Sequence, residues 1–259
     1  MQLTYIGGPT ALIEFEGLRI LTDPTFDQAG GEYRSASYSL RKTQGPALGR
    51  ERIGQVDLVL LSHDHHFDNL DSAGRELLSA AGCVLTTRAG AERLGAPVVG
   101  LADWARHELA LRDGSRLRIT ATPARHGPAG GDRGPVIGFV LEHERQPRGA
   151  LYFTGDTVWY EGVAEVARRF SIAIALPCMG AARVAAAGPA PLTFTAAEGV
   201  EFARAFPRAT IVPLHYEGWA HFSESRADIQ REFLAAGLEQ RLRWLAPGVQ
   251  SEFPAAFSR

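Results

Sequence analysis

The sequence predicts a mixed α/β sandwich, built as one domain over residues 1–259, and three observations lead there. Short apolar runs rich in β-branched residues recur along the chain, each bounded by Gly, Pro or Asp, as strands between turns are. The early runs follow one another directly, whereas the later ones alternate with segments of helical period, the pattern of sheets covered by helices. Gly 28 and Pro 15 exceed average usage, so the connections are expected to be loop-rich.

In chain order, strands are expected over residues 2–6, 11–16 and 18–22, with Glu16-Gly17 as a hairpin turn. Further strands are expected over 57–61, 83–86, 116–121, 136–142, 150–154, 172–176 and 209–213. A helix over 70–80 puts Leu70, Ala73, Leu77, Leu78 and Ala81 on one face. Thr195-Ala196-Ala197-Glu198 is a capping-box sequence that opens a helix running to about Phe206. A third helix runs from about Glu224 to Ala236, with apolar Ala227, Ile229, Phe233 and Leu234. Two stretches have no period. Residues 27–54, with Gly30-Gly31, Gly45-Pro46 and several Arg, are too long for a plain connection and are read as a functional loop such as a lid, or as disordered. Residues 180–194 form a second flap.

Composition narrows the function. A hydrophobic fraction of 45% with 22% charged residues is that of a folded globular chain. A net charge of −2 lacks the surplus of cations that a nucleic-acid binder needs. Two Cys cannot make a disulfide framework, which points to a reducing compartment. The first residues have neither a basic nor an apolar leader segment, and no apolar run approaches the ~20 residues that span a bilayer. A cytoplasmic protein acting on a small molecule is expected, with no nucleic acid and no membrane span. Lys42 is the only lysine and Asn69 the only asparagine.

Four strands deliver His or Asp just past their carboxyl ends, where open α/β sheets bind ligands. The segment after 57–61 reads Ser62-His63-Asp64-His65-His66-Phe67-Asp68-Asn69-Leu70-Asp71. The other three are Ala124-Arg125-His126-Gly127, Gly155-Asp156-Thr157 and Leu214-His215-Tyr216-Glu217. Alone, His126, Asp156 or His215 reads equally well as a loop or cap residue. Three His and three Asp within residues 63–71 are different, because such crowding is costly without a cation. Imidazole with carboxylate suits zinc, and also manganese or iron.

These segments, in this order, resemble the metallo-β-lactamase-fold hydrolase superfamily. Within it they are most similar to the L-ascorbate-6-phosphate lactonase and N-acyl-phosphatidylethanolamine phospholipase D group. Tyr5-Ile6-Gly7-Gly8-Pro9-Thr10 and Ile20-Leu21-Thr22-Asp23-Pro24 match that group's opening, with Gly8 where a His is frequent. The resemblance spans residues 3 to about 222 and implies a four-layer αβ/βα sandwich with the site at the edge of two β-sheets. The family string is His-x-His-x-Asp-His. Anchored on its end, it matches His66, Asp68, Leu70 and Asp71, with Asn69 replacing the last His and Asp64 the first.

The resemblance implies Asp64 or His63, His66, His126 and bridging Asp156 around one ion. It implies Asp68, Asp156 and His215 around a second, with Asn69 a poor substitute ligand. The implied activity is hydrolysis of an ester, lactone or related small-molecule bond by metal-bound hydroxide, using one or two Zn2+, or Mn2+ or Fe2+. Asp68 orients the water or takes its proton. His221 binds or protonates the substrate, or is a loop residue between Trp219 and Phe222. A phosphodiesterase and a non-catalytic metal-binding protein are the competing readings. Trp159 and Tyr160 wall a pocket or join the core, and His107 and His143 are expected in solvent. Arg34, Arg41, Lys42, Arg50 and Arg52 on the long loop are candidate anion contacts. Cys178 is expected to be a small loop residue and Cys83 part of the core.

Overall fold

The computed structural model describes residues 1–35, 38–146 and 148–253. The chain opens with the expected meander of β1 (Gln2–Gly7), β2 (Thr10–Phe15) and β3 (Leu18–Thr22). Glu16 and Gly17, at φ of 49° and 79°, make the turn between the last two. Next come β4 (Glu32–Arg34), β5 (Ser39–Arg41), β6 (Leu58–Leu60), α1 (Ser72–Leu78), β7 (Cys83–Thr87), α2 (Arg88–Leu94) and β8 (Val99–Leu101). The second half holds β9 (Arg106–Ala110), β10 (Arg116–Pro123), β11 (Ile137–Glu142) and β12 (Ala150–Phe153). It continues with α3 (Glu161–Arg169), β13 (Ile172–Leu176), α4 (Ala196–Ala205), β14 (Thr210–Ile211), α5 (Arg226–Ala235) and β15 (Gln250–Glu252).

Among the described residues these strands form two mixed sheets and a small ribbon of β4 and β5. One sheet has the order β15-β1-β2-β3-β6-β7-β8, the other β14-β13-β12-β11-β10-β9. Alternate residues face the partner sheet: Leu3 and Tyr5, Ala11 and Ile13, Leu58 and Leu60 meet Ile119 and Ala121, Phe139 and Leu141, Leu151 and Phe153 in one core. The outer face of the second sheet, with Val140, Tyr152 and Ala175, is covered by Val163 and Val166 of α3, Val200 and Phe202 of α4, and Ile229 and Phe233 of α5. The outer face of the first, with Leu21, Val59 and Val84, is covered by Leu70, Leu78 and residues of the long loop. The result is the αβ/βα layer order expected from the sequence.

Caps fix the helix starts. Asp71 accepts from Gly74 N–H at 2.9 Å, so the first helix begins at Ser72 rather than at residue 70. Thr195 with Glu198 forms the expected capping box of α4, and Ser225 with Asp228 forms another on α5. The strand expected over 209–213 shortens to Thr210–Ile211, followed by Pro213, which has no N–H to donate. The expected lid is partly structured by β4 and β5, and residues 36–37 within it lie outside the described residues.

Candidate metal centre

β10 and β12 each pair antiparallel with β11, while β12, β13 and β14 are mutually parallel. Their carboxyl ends therefore share one edge, which holds His126, Asp156 and His215. The end of β6 in the facing sheet brings residues 62–71 to the same place. Gly155 makes this possible: its φ is +59°, and a Cβ there would lie 2.7 Å from both Ile137 O and Ser62 Cβ. The bare backbone lets Asp156 approach His63. His215 takes a left-handed φ of 55°, with its N–H donating to Gly8 O at 2.8 Å.

In the first cluster, His63 Nε2 lies 3.0 Å from His66 Nδ1, and His126 Nε2 lies 3.1 Å from the same atom. Asp156 Oδ2 is 3.5 Å from His126 Nε2. Outer partners set the tautomers. His126 Nδ1 is 2.7 Å from Leu192 O, a carbonyl that only accepts, so Nδ1 carries the proton and Nε2 is bare. Ser62 Oγ donates to Asp23 Oδ2 at 2.6 Å and lies 2.8 Å from His63 Nδ1. When Asp23 is ionised, the single Ser62 proton goes to it, and Ser62 accepts from His63 Nδ1–H. His63 Nε2 then also faces inward as a lone pair. Burial, then the neighbouring His126, pushes His66 down to about 3, and burial holds His63 well below its ordinary value. Both are neutral at pH 7. Neither oxygen of buried Asp156 accepts a hydrogen bond among the described residues. Converging lone pairs beside an unpartnered carboxylate fit a cation.

In the second group, Asp68 Oδ2 lies 3.3 Å from His215 Nε2 and 3.0 Å from His221 Nε2. Burial alone would raise the Asp68 carboxyl, but hydrogen bonds from His215 and His221 outweigh it and hold it well below the usual range. His215 Nδ1 is 3.2 Å from Asp156 Oδ1, so Asp156 stands between the two groups. Cys178, past the end of β13 as expected, is fully buried and joins Asp156 and His215, its thiol pushed up by burial.

Not every candidate converges. Asp64 turns away, its carboxylate paired with Arg93 Nε at 2.8 Å. That half-exposed guanidinium satisfies the buried Asp64 carboxylate, and the structure does not bring Asp64 into the cluster. His65 is tied by Nε2, 2.8 Å from Arg133 O, while its buried Nδ1 has no hydrogen bond among the described residues and its ring stays within ligand distance of His63 and His66. Asn69 donates from Nδ2 to Asp23 Oδ2 at 3.0 Å, and Asp71 takes Lys42 Nζ at 2.7 Å. His143 is buried and bonded to Ser115 Oγ at 3.1 Å, contrary to the solvated position expected, because Phe15 packs edge-on against its ring.

A small cavity of about 30 Å3 opens onto the centre, with His66, Asp68, His126 and His221 on its floor. Its walls come from both expected flaps: Tyr38 and Leu40 from one, Ala182, Val184 and Leu192 from the other. The loop cations named from sequence do not line it. Arg34 pairs with Glu32, Arg50 with Glu76, and Lys42 is buried. The wall's cation is instead Arg133, whose side chain makes no ion pair among the described residues. Arg133 carries no motif signal, whereas Asp23 stands in the Ile20–Pro24 match and Ser62 heads the metal string, though neither motif marks them as supports of the centre.

Residues 18–216 match the family described as the beta-lactamase superfamily domain. The chain belongs to that family. Its beta-lactamase superfamily relatives include a UPF0173 metal-dependent hydrolase of Pyrobaculum neutrophilum, 27% identical over 237 residues, covering 83% of this chain and 84% of the relative. Among solved structures, it is similar to an isothiocyanate hydrolase from Delia radicum gut bacteria, with TM-score 0.82, 25% identity, and coverage of 98% and 99%. A possible metal-dependent hydrolase from Veillonella parvula, at 17% identity, shares the fold with TM-score 0.83 over 97% and 98% of the two chains. No helix among the described residues is long and apolar enough to cross a membrane.

Proposed function

We propose that this chain is a metal-dependent hydrolase acting at an electrophilic carbon of a small molecule, in an ester, a lactone or a related bond. One observation carries the reading: three imidazole nitrogens, within 3.0 and 3.1 Å of one another in turn, converge beside a buried carboxylate that has no hydrogen bond. In this reading His63, His66, His126 and Asp156 hold one divalent ion, and Asp68 and His215 belong to a second, with Asp156 between them. The donor set suits zinc, with manganese or iron as alternatives. A bound divalent ion supplies Lewis acidity and makes water acidic near neutral pH.

The chain's own residues do the rest. Asp68, held ionised, orients a water and takes its proton. Leu40, Val184 and Leu192 exclude bulk water and limit the substrate to a small molecule. Arg133 suits an anionic substituent. The names of the relatives support hydrolysis, and the likeness to an isothiocyanate hydrolase extends the candidate bonds to a heterocumulene carbon. The finer likeness to the ascorbate-6-phosphate lactonase and phospholipase D group rests on the turns at Tyr5–Thr10 and Ile20–Pro24.

The test is turnover of an aryl ester, a γ-lactone, benzyl isothiocyanate and bis(p-nitrophenyl) phosphate with zinc, manganese or iron(II). Turnover of a carbon-centred substrate, abolished by chelator and reduced on the order of 10³-fold or more in Asp156→Ala, is expected. A chain that binds none of these metals and turns over nothing sinks the reading. Preference for the phosphodiester would move it to the other hydrolase class.

A further inference from the structure

We propose that His221 supplies the ligand that the metal motif lacks at Asn69, so that Asp68, His215 and His221 together hold the second ion. This rests on the metal-dependent reading above and departs from the ligand pattern that the motif alone implies. The side-chain amide of Asn69 turns its nitrogen onto Asp23, and its Oδ1, buried and without a hydrogen bond among the described residues, is a neutral and weak ligand for zinc. The atom facing Asp23 Oδ2 at 3.0 Å must be a donor, because Asp23 accepts there, so the amide nitrogen is fixed inward on Asp23. Its role is to support Asp23, which holds Ser62, which in turn orients His63 of the first cluster.

His221 stands where a replacement is needed. Its Nε2 and that of His215 approach one oxygen of Asp68, at 3.0 and 3.3 Å, and the three ligand atoms lie within 4.8 Å of one another. His215 also lies with Nδ1 3.2 Å from Asp156 Oδ1, so its ring stands between the two carboxylates. Two imidazole nitrogens on one buried carboxylate oxygen are a donor set for a divalent cation, which would take the place of the protons that join them. The backbone beside His221 is held from both sides. Ala220 N–H donates to Arg41 O at 3.0 Å, and Arg183 N–H donates to His221 O at 2.9 Å. That clamp fixes where the ring stands, as a metal ligand requires.

The experiment measures bound zinc in the purified, zinc-loaded chain and its variants, by elemental analysis and chelator competition. Two ions per chain are expected in wild type. His221→Ala should keep one, with affinity for the second weakened on the order of 100-fold or more. His221→Cys should recover much of it. Where a variant misfolds, the wild type suffices: its His221 15N resonance should shift with the second equivalent of zinc and not the first. A His221→Ala chain that keeps two tightly bound ions, or a His221 resonance indifferent to zinc, would overturn the assignment. A wild type with no zinc overturns the hydrolase reading itself, and with it this ligand, whereas indifference to His221 in a loaded chain overturns only the ligand.

Discussion

Asp23 is fully buried one residue beyond β3 and accepts three hydrogen bonds, from Ser62 N–H, Ser62 Oγ and Asn69 Nδ2. Burial still wins and raises its carboxyl from 3.8 to about 7. The folded chain therefore keeps a proton that the unfolded chain releases near pH 3.8, so Asp23's contribution is full below that pH and declines as pH rises to about 7. Against Asp23→Asn, the metal-free wild type should lose stability over that range, by at most about 1.4 kcal/mol per pH unit. Urea melts of both chains across the range check it, and a constant difference counts against a raised Asp23. Ser62→Ala should leave the fold intact but free His63 Nδ1, weakening zinc about 10- to 100-fold in chelator competition. Most of the candidate centre was legible residue by residue, because His63, His66, Asp68, His126, Asp156 and His215 sit at strand ends. Asp64 was not separable from His63 in the string. Only the tertiary position of Arg93 shows that Asp64 has a partner elsewhere.

At the scale of elements, α1 is pressed onto the segment after β3. A Cβ on Gly74 would sit 1.8 Å from Pro24 O, a backbone atom that cannot move aside cheaply. Gly74→Ala should cost on the order of 3 kcal/mol, read as a lower urea midpoint. The same helix start carries Asp71, which accepts from Phe26, Asp27 and Gly74 N–H and from Lys42 Nζ. Lys42→Met leaves that buried carboxylate with its three N–H donors but no cation, and should destabilise by roughly 3 kcal/mol. An unchanged midpoint would mean the backbone donors suffice. The strongly apolar strands and the capped helix α4 were readable in sequence, since period and cap agree there. α3 and β9 were not. Tyr160 provides no side-chain cap for α3, and β9 is an edge strand, Arg-His-Glu-Leu-Ala, whose alternate exposure hides its register among charged residues. The lid's ribbon was invisible because β4 and β5 are three residues each.

Taken as a whole molecule, the two sheets share one core, but they also meet at the candidate centre, where residues 63–68 come from one and His126, Asp156 and His215 from the other. An ion there ties the halves together at their edge. Adding chelator should therefore lower the thermal midpoint, and restoring zinc at 100 times its dissociation constant should recover about 2.7 kcal/mol. Calorimetry with and without chelator checks this; identical melts would mean that the sheets are held by their core alone. The flap that roofs the cavity brings one more property. Lys42 is the only lysine, 3% exposed, its amine held by Asp71 and lying 5.3 Å from the centroid of the Trp219 ring. An amine-acylating ester has no other side chain to attack, so it labels residue 42 only when β5 lifts from Trp219. The growth of that one acylated peptide in a mass spectrum becomes a clock for how often the roof opens.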